Sequence, residues 1–516
     1  MARSPHSITY NFIMNAALSV SSFLYPLITY PYVTRVLGAE YYGKVVFASY
    51  VATWVSMFAQ LGIPTYGIRA CAACRNDKAK LRKTVLEILT LNVITALLVY
   101  AVFILTLFLV PRFRQDPALF LIITIPVLLN AFGADWFYKG LEEYGYVAAR
   151  DTLFRVLSII VLFLTMHTRA DYRIYGVMIA VADGGPGIMN FLRLRKLLGG
   201  FSSGQAAQAA DTVRIDWQQH VKPVLTFFML SVAISIYTSM DVVMLGFLSS
   251  DTQVGYYGAA TRMKALAVSF VTALGGVLMP RVSNYLAEGK EQEFRELVKK
   301  NFSFVLLVSV PMMVFLAGAA DQVIFLLSGT DFAGAVLPMQ VISVTIVMIA
   351  LTNVMGMQIL VPSGREKLTT VSTIWGACVN LVVNLLMIPK FGAMGAVIGT
   401  VLAELTVLAV QTFFLRKELP PFFDGIEGGK LLVAVLAATA GLIITRRILM
   451  PVPGATLPAS TVPAATVPAS TVPEYLLNLA VMGAVFCLVY GAVLLVTREK
   501  GSRELLGKLR KKRRTS

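Results

Sequence analysis

The stretch TRVLGAEYYGKVVFASY, residues 34–50, follows an apolar run and leads into another, and the chain repeats its pattern about 215 residues later. There VMLG (243–246) precedes GYYGAATRMK (255–264), so that Gly38 matches Gly246 and Gly43 matches Gly258. A second echo pairs IYGVMIAVAD (174–183) with GAVIGTVLAE (395–404), each closing on an acid, Asp183 and Glu404. A chain that says nearly the same thing twice, with cations set just inside apolar segments each time, asks what environment those segments occupy.

The bulk composition answers that. Of the 516 residues, 57% are hydrophobic and only 14% are charged, and the mean hydropathy is +0.72. Runs such as LEILTLNVITALLVYAVFILTLFLV and NLAVMGAVFCLVYGAVLLV meet the length of about 20 residues that a helix needs to cross a hydrocarbon core. The ten-residue alternation of a membrane β-barrel is absent, so the backbone must satisfy itself within helices. MARSPHSITYNF has no cleavage site of the signal-peptide kind, so the first apolar segment is expected to be retained. Apolar windows between charged or Gly/Pro-rich breaks fall at roughly 8–36, 43–63, 84–110, 118–137, 147–166, 172–192, 221–245, 254–280, 301–319, 333–360, 368–388, 392–415, 431–446 and 475–497. Pro26 and Pro31 give the first window reason to kink.

The fold expected is therefore an all-α integral membrane protein of about fourteen transmembrane helices. The two echoes make the repeat about six spans long. Six crossings return the chain to its starting side, so the repeats are parallel and related by an axis along the membrane normal. Two pseudo-symmetric six-helix bundles would enclose a central cavity, with two C-terminal helices outside the duplication. The boundaries expected are 1–200 for the first lobe, 201–220 for a cytoplasmic linker, 221–418 for the second lobe and 419–516 for the extra pair. Within that last segment, 451–473 (LPASTVPAATVPASTVP and its flanks) reads as an extended external linker, and KLRKKRRTS as a basic cytoplasmic tail.

Positive charge sets the orientation. With the N-terminus inside, 34 of the 45 Lys and Arg fall in cytoplasmic loops and helix ends, 9 lie at external boundaries, and Arg262 and Lys264 lie inside a span. Both termini are expected in the cytoplasm. The net charge of +17 borders membrane spans, which points to anionic lipid headgroups and away from nucleic acid. Cys71 and Cys74 form a C-x-x-C without a second pair or a nearby His, and His6, His167 and His220 are scattered, so neither metal nor other cofactor is expected.

Ionisable groups inside a span are costly and face water or a partner. Arg262 lies eight residues into its window, about 12 Å at 1.5 Å per residue, with Lys264 about 200° further round the helix. Arg262 either contacts a substrate or neutralises Asp241, near the external end of the preceding span. Arg35 and Lys44 flank the external end of the first hairpin, where snorkelling and ligand contact are both open. Asp183 opens DGGPG, where Gly184, Gly185, Pro186 and Gly187 would interrupt or kink a helix. Glu404 either couples transport to a proton or cation or bonds a neighbouring helix. No G-x-x-x-x-G-K-[ST] loop occurs, GIEGGK being too short, and no hydrolase constellation is present. The chemistry expected is transport driven by a gradient or by the membrane potential, not catalysis.

YPLITYPYVTRVLGAEYYGKVVFASYVATW, LGIPTYGIR, GADWFYKGLEEYGYVAARDTLFRVLSII, YYGAATRM, LMPRVS and PKFGAMGAVIGTVLAE, in that order over residues 8–415, resemble the polysaccharide-transport branch of the multidrug/oligosaccharidyl-lipid/polysaccharide exporter superfamily. The resemblance implies a V-shaped pair of bundles in the bacterial inner membrane that flips an undecaprenyl-pyrophosphate-linked oligosaccharide, with membrane lipids around it and a polysaccharide polymerase as a candidate partner. It puts Arg262 near the pyrophosphate and makes Asp135, Trp136, Lys139, Gly140 and Glu142 of DWFYKGLEE a cytoplasmic gate or loop contact. Lipid II flippases are a sister branch with arginines midway along the first helix; here ALSVSSFLYPLITY is uncharged. A cation-coupled multidrug exporter of the same superfamily is the other alternative, against which Arg262 speaks.

Overall fold

The computed structural model describes residues 8–200, 216–424, 427–449 and 472–497, and within them every regular element is helical. The Pro-rich linker, the basic tail and most of 201–220 lie outside the described residues. The chain divides into two compact units, residues 1–243 and 244–516.

The first unit contains α1 (Ile8–Gln60), α2 (Ile63–Cys74), α3 (Lys78–Leu109), α4 (Pro117–Gly133), α5 (Asp135–Gly140), α6 (Tyr144–Thr165), α7 (Tyr172–Gly200) and most of α8 (Gln218–Leu248). The second holds α9 (Asp251–Ala287), α10 (Glu291–Gly318), α11 (Ala320–Ser328), α12 (Val336–Ile342), α13 (Thr345–Asn353), α14 (Glu366–Phe391), α15 (Ala393–Leu415), α16 (Gly428–Leu449) and α17 (Val472–Val496). The apolar windows of the sequence fall mostly on helical residues, the first and most of the second sharing α1. Eight described helices are long and apolar enough to cross a membrane, or ten if the two bent pairs, 218–229 with 234–248 and 330–342 with 345–360, each count as one span. The outward side chains fit that role: Leu98 and Phe108 on α3 and Leu488 on α17 are among the most exposed large apolar residues, which in a membrane face lipid. The chain is a multi-pass membrane protein.

Local breaks depart from expectation in instructive ways. α1 runs through Pro26 and Pro31 and is interrupted at Gly38 instead, whose φ of 68° and ψ of 177° lie outside the helical region and suit glycine. The matching turn of the second unit does not use Gly246. It falls at Ser249 and Ser250, and the Ser250 hydroxyl accepts from the Gln253 amide at 3.4 Å as a helix cap. Nor does GGPG break its helix, since α7 continues from Tyr172 to Gly200 with Pro186 inside. The glycines serve close approach: a Cβ on Gly187 would stand 2.6 Å from the Leu129 carbonyl oxygen, one on Gly133 2.7 Å from the Gly187 Cα, and one on Gly185 2.2 Å from the Phe154 ring. α7 is thereby packed backbone to backbone on α4, the arrangement that small residues permit between membrane helices.

In the second unit the turn between α14 and α15 is Gly392 at φ 54°, and the Gln253 side chain caps it by accepting from the Ala393 amide at 2.8 Å. Arg446 of α16 pairs with Asp321 of α11 at 2.7 Å, and the Tyr490 hydroxyl of α17 donates to the Leu307 carbonyl at 2.8 Å, so the two C-terminal helices dock on this unit.

Gly187→Ala is expected to push α7 off α4, because the atom it meets is backbone and cannot swing away. A cost of about 1–3 kcal/mol should appear as a lowered thermal midpoint in detergent, whereas Gly428→Ala, with nothing within 4 Å of its Cβ, should leave the midpoint unmoved.

Candidate functional site

One end of the first unit holds a polar cavity of about 310 Å³. Its walls come from α1 (Gln60), α2 (Pro64, Ile68), α4 (Asn130), α5 (Asp135, Trp136, Lys139), α6 (Arg150, Asp151, Arg155) and α7 (Ala182, Asp183, Pro186, Asn190). The local sequence explains how these groups converge. α4 stops at Ala134, whose positive φ of 46° turns the chain into the short α5. That turn swings Trp136 onto Gly67, where a Cβ would meet the indole ring at 2.6 Å, and sets Gly140 against Cys71. Pro186 has no N–H for the Ala182 carbonyl one turn back, and both residues line the hollow.

The charges are arranged as a chain. Asp135 accepts from Lys139 Nζ at 2.5 Å and from the Arg150 guanidinium through its other oxygen. Arg150 Nε lies 3.2 Å from Asp151 Oδ1. The Arg150 side chain is 2% exposed, and these carboxylates supply the opposite charge that a buried guanidinium requires. Arg155, one turn further along α6, reaches the Ser21 hydroxyl at 3.4 Å. Asp183 is exposed toward the hollow, and its backbone carbonyl accepts from Asn130 Nδ2 at 3.1 Å. Asp135 lies beyond the end of the α4 span. Burial pushes its carboxyl up, but Lys139 and Arg150 outweigh burial and hold it below the usual carboxylate range.

Beside the cavity, Arg193 of α7 pairs with Glu143 at 2.5 Å and stacks 4.0 Å over the Tyr146 ring, while the Tyr138 hydroxyl donates to the Asn190 carbonyl at 2.7 Å. Glu142 pairs with Arg75 at 2.7 Å, tying the segment after α5 to the end of α2. Glu87, 1% exposed on α3, accepts from Gln219 Nε2 at 3.0 Å and from the Asp216 amide at 3.0 Å, and lies 3.0 Å from His220 Nε2. His220 Nδ1 in turn lies 2.6 Å from the Tyr66 hydroxyl, so the start of α8 is pinned to the same end of this unit. Cys71 and Cys74 are buried, and burial pushes the Cys71 thiol up, which leaves it little thiolate for redox or metal chemistry.

Of the residues singled out in the sequence, the structure brings Asp135, Lys139 and Asp183 to one cavity, while Glu142 is outside its lining and pairs with Arg75. Lys44 lies elsewhere in this unit, 3.2 Å from Glu40 and 4.7 Å from the centre of the Tyr41 ring, near the Arg173–Asp116 pair and Tyr172. Arg35 is exposed on α1, and Asp241 is buried on α8. In the second unit Arg262 is exposed on α9, Lys264 is half-buried, and Glu404 is buried on α15. Arg150, Asp151 and Arg155 were missed. The sequence carries the signal, since Arg155 lies eight residues into its apolar window, as Arg262 does.

A family model described as "Polysaccharide biosynthesis protein" matches residues 8–286, and one described as MatE matches 227–386. A protein of Escherichia coli (strain K12) named "Putative O-antigen transporter" is 24% identical over 422 residues, 80% of this chain and 97% of the relative. A "Probable low-salt glycan biosynthesis flippase" of Haloferax volcanii (strain ATCC 29605) is 22% identical over 181 residues, 35% of this chain and 38% of its own. Among solved structures, a lipid II flippase in an inward closed conformation superposes with a TM-score of 0.67 at 14% identity, covering 93% of this chain and 99% of that one, which shows a shared fold.

Asp135→Asn should leave Arg150 short of a charged partner and cost about 1–3 kcal/mol, read as a lower thermal midpoint at neutral pH. Because the folded-state pKa of Asp135 is depressed, its contribution is present above the ordinary carboxylate pKa and is lost as pH falls through the lower folded value. The gap between wild type and Asp135→Asn should therefore close in the acid range below about pH 4.

Proposed function

The chain belongs to the polysaccharide biosynthesis protein family, and on that premise we propose that it is a flippase. Its cargo is an undecaprenyl-pyrophosphate-linked oligosaccharide, carried from the cytoplasmic to the periplasmic leaflet of a bacterial inner membrane with both termini in the cytoplasm. The observation that carries this reading is the match, over 80% of this chain and 97% of the relative, to a protein named as an O-antigen transporter, on a scaffold with lipid-facing apolar helices and a polar hollow inside. Fourteen spans in two six-helix lobes, with the last two helices added, remain the topology proposed. A polysaccharide polymerase is the partner proposed to receive the product.

The physics suits the cargo. A head bearing phosphates and sugars cannot enter hydrocarbon, where each unsatisfied polar group costs several kcal/mol. A polar interior replaces its hydration while the polyprenyl chain stays in the bilayer. Arg262, exposed on α9, is the cation proposed to follow the pyrophosphate, with Lys264, Arg35 and Lys44 as further contacts. Asp183, Glu404 and Asp241 are proposed for gating or coupling, and Asp135, Lys139 and Glu142 for the cytoplasmic gate. Outward passage of each negative charge gains about 2.3 kcal/mol per 100 mV of interior-negative potential, so alternating access needs no chemical step. The MatE match keeps a cation-coupled exporter of amphipathic compounds as the second reading.

Proteoliposomes carrying fluorescent undecaprenyl-pyrophosphate oligosaccharide should show leaflet transfer that rises with an interior-negative potential. Arg262→Ala should slow it by about tenfold, the loss of one charged contact. Transfer at the wild-type rate in Arg262→Ala removes that residue from the path. Efflux of an amphipathic dye with no movement of the sugar lipid replaces the flippase reading with the exporter.

A further inference from the structure

The cavity of the first unit is a poor site for a phosphate. Asp135, Asp151 and Asp183 match Lys139, Arg150 and Arg155 one for one, and Asp135 already holds Lys139 and Arg150. Among the described residues, Asp183 forms no ion pair within 4 Å. Arg155 likewise forms no ion pair within 4 Å among the described residues, so a pyrophosphate placed here would meet one uncommitted cation set against one uncommitted carboxylate, with no surplus of positive charge.

Three buried groups in the wall nevertheless lack partners. Trp136 is 3% exposed with its indole Nε1–H unbonded, Arg150 is 3% exposed with Nη1 unbonded, and Asn190 is 1% exposed with its side-chain carbonyl unbonded. Leaving such groups unpaired is costly. Two of them donate and one accepts, and Asp183 accepts as well. A hydroxyl supplies one donor and two acceptor lone pairs, so a ring carrying several hydroxyls can satisfy donors and acceptors together. The volume of 310 Å³ sits at the lower end of ligand pockets, about 300–1,000 Å³, which suits a single sugar ring with some water.

We infer that this cavity is a subsite for one uncharged sugar ring of the lipid-linked glycan, recognised by Trp136, Arg150, Asn190 and Asp183, and that the pyrophosphate is held elsewhere. The inference rests on the flippase reading and gives that reading its selectivity: the carrier lipid supplies the anion and the tail, and this hollow inspects the sugar.

The test is equilibrium binding to the full-length protein in detergent, which is independent of leaflet transfer. The probes are undecaprenyl pyrophosphate bearing a single hexose or a single N-acetylhexosamine, bare undecaprenyl pyrophosphate, and the free monosaccharides. Wild type should bind at least one sugar-bearing lipid about tenfold more tightly than the bare lipid. Trp136→Phe, which keeps a ring against Gly67 and removes only the N–H, and Asn190→Ala should each erase most of that advantage while binding bare lipid as wild type does. Equal wild-type affinity for sugar-bearing and bare lipid, or variants that weaken both alike, overturns the inference. Tight binding of a free monosaccharide with no gain from its lipid-linked form would make the site one for a soluble sugar and overturn it as well. If Asn190→Ala does not fold, Trp136→Phe and the wild-type comparison still decide. A flippase that fails differs in its signature: the sugar preference is present and leaflet transfer is not.

Discussion

Hydrocarbon offers no partner to a backbone amide or carbonyl, and that constraint governs everything else in this chain. It makes helices the regular element available to the apolar segments and confines reversals to places where the backbone can turn in very few residues. Gly38 and Gly392 do this through dihedral angles that favour glycine, and Ser250 does it by capping a fresh helix. It also decides what the outside looks like. Leu98, Phe108 and Leu488 stand exposed because their solvent is lipid, so polar groups gather inward or at the helix ends.

A second consequence concerns charge. Once apolar faces point outward, an ionised group along a span must bring its counter-charge with it, and Arg150 shows how. It sits almost wholly buried on α6, and its partners are supplied by α5 and by its own helix. α5 can reach it because α4 ends on a left-handed residue and Gly67 leaves room for Trp136. The close packing of α7 on α4 through Gly133 and Gly187 brings Asp183 and Asn190 to the same hollow. One cavity thus depends on a few positions that carry no side chain.

This separates what was legible in the sequence from what was not. Helix positions were legible because hydropathy is a property of the segment itself, and so the apolar windows fell mostly on helical residues. Breaks were less so. Pro26 and Pro31 lie within a helix that continues, and DGGPG, expected to interrupt or kink, proved to be a contact surface whose purpose depends on α4, some fifty residues earlier. The site was half legible: Asp135, Lys139 and Asp183 stood out, the first two by resemblance to a gate motif and the third as an acid in an apolar run. Arg150 and Arg155 hid among the charges used to orient the chain, because a count assigns each cation to a loop or a span and cannot see which way a helix faces. Their partners come from α5 and α1, and no local pattern announces such a meeting.

A carrier must hold its cargo firmly enough to select it and loosely enough to release it on the other side, the balance that conduction through any selective pore requires. A strongly cationic pocket around a pyrophosphate would gain affinity at the risk of trapping it. A hollow with equal numbers of acids and bases behaves differently. Its long-range field is small, so it adds little Coulombic grip, yet its individual donors and acceptors still distinguish a hydroxyl pattern from water. Discrimination of this kind comes from leaving buried polar groups unpaired when the wrong ligand is present, and it does not need tight binding of the right one. The neutral balance of Asp135, Asp151 and Asp183 against Lys139, Arg150 and Arg155 is what a site chosen for selection over retention should show.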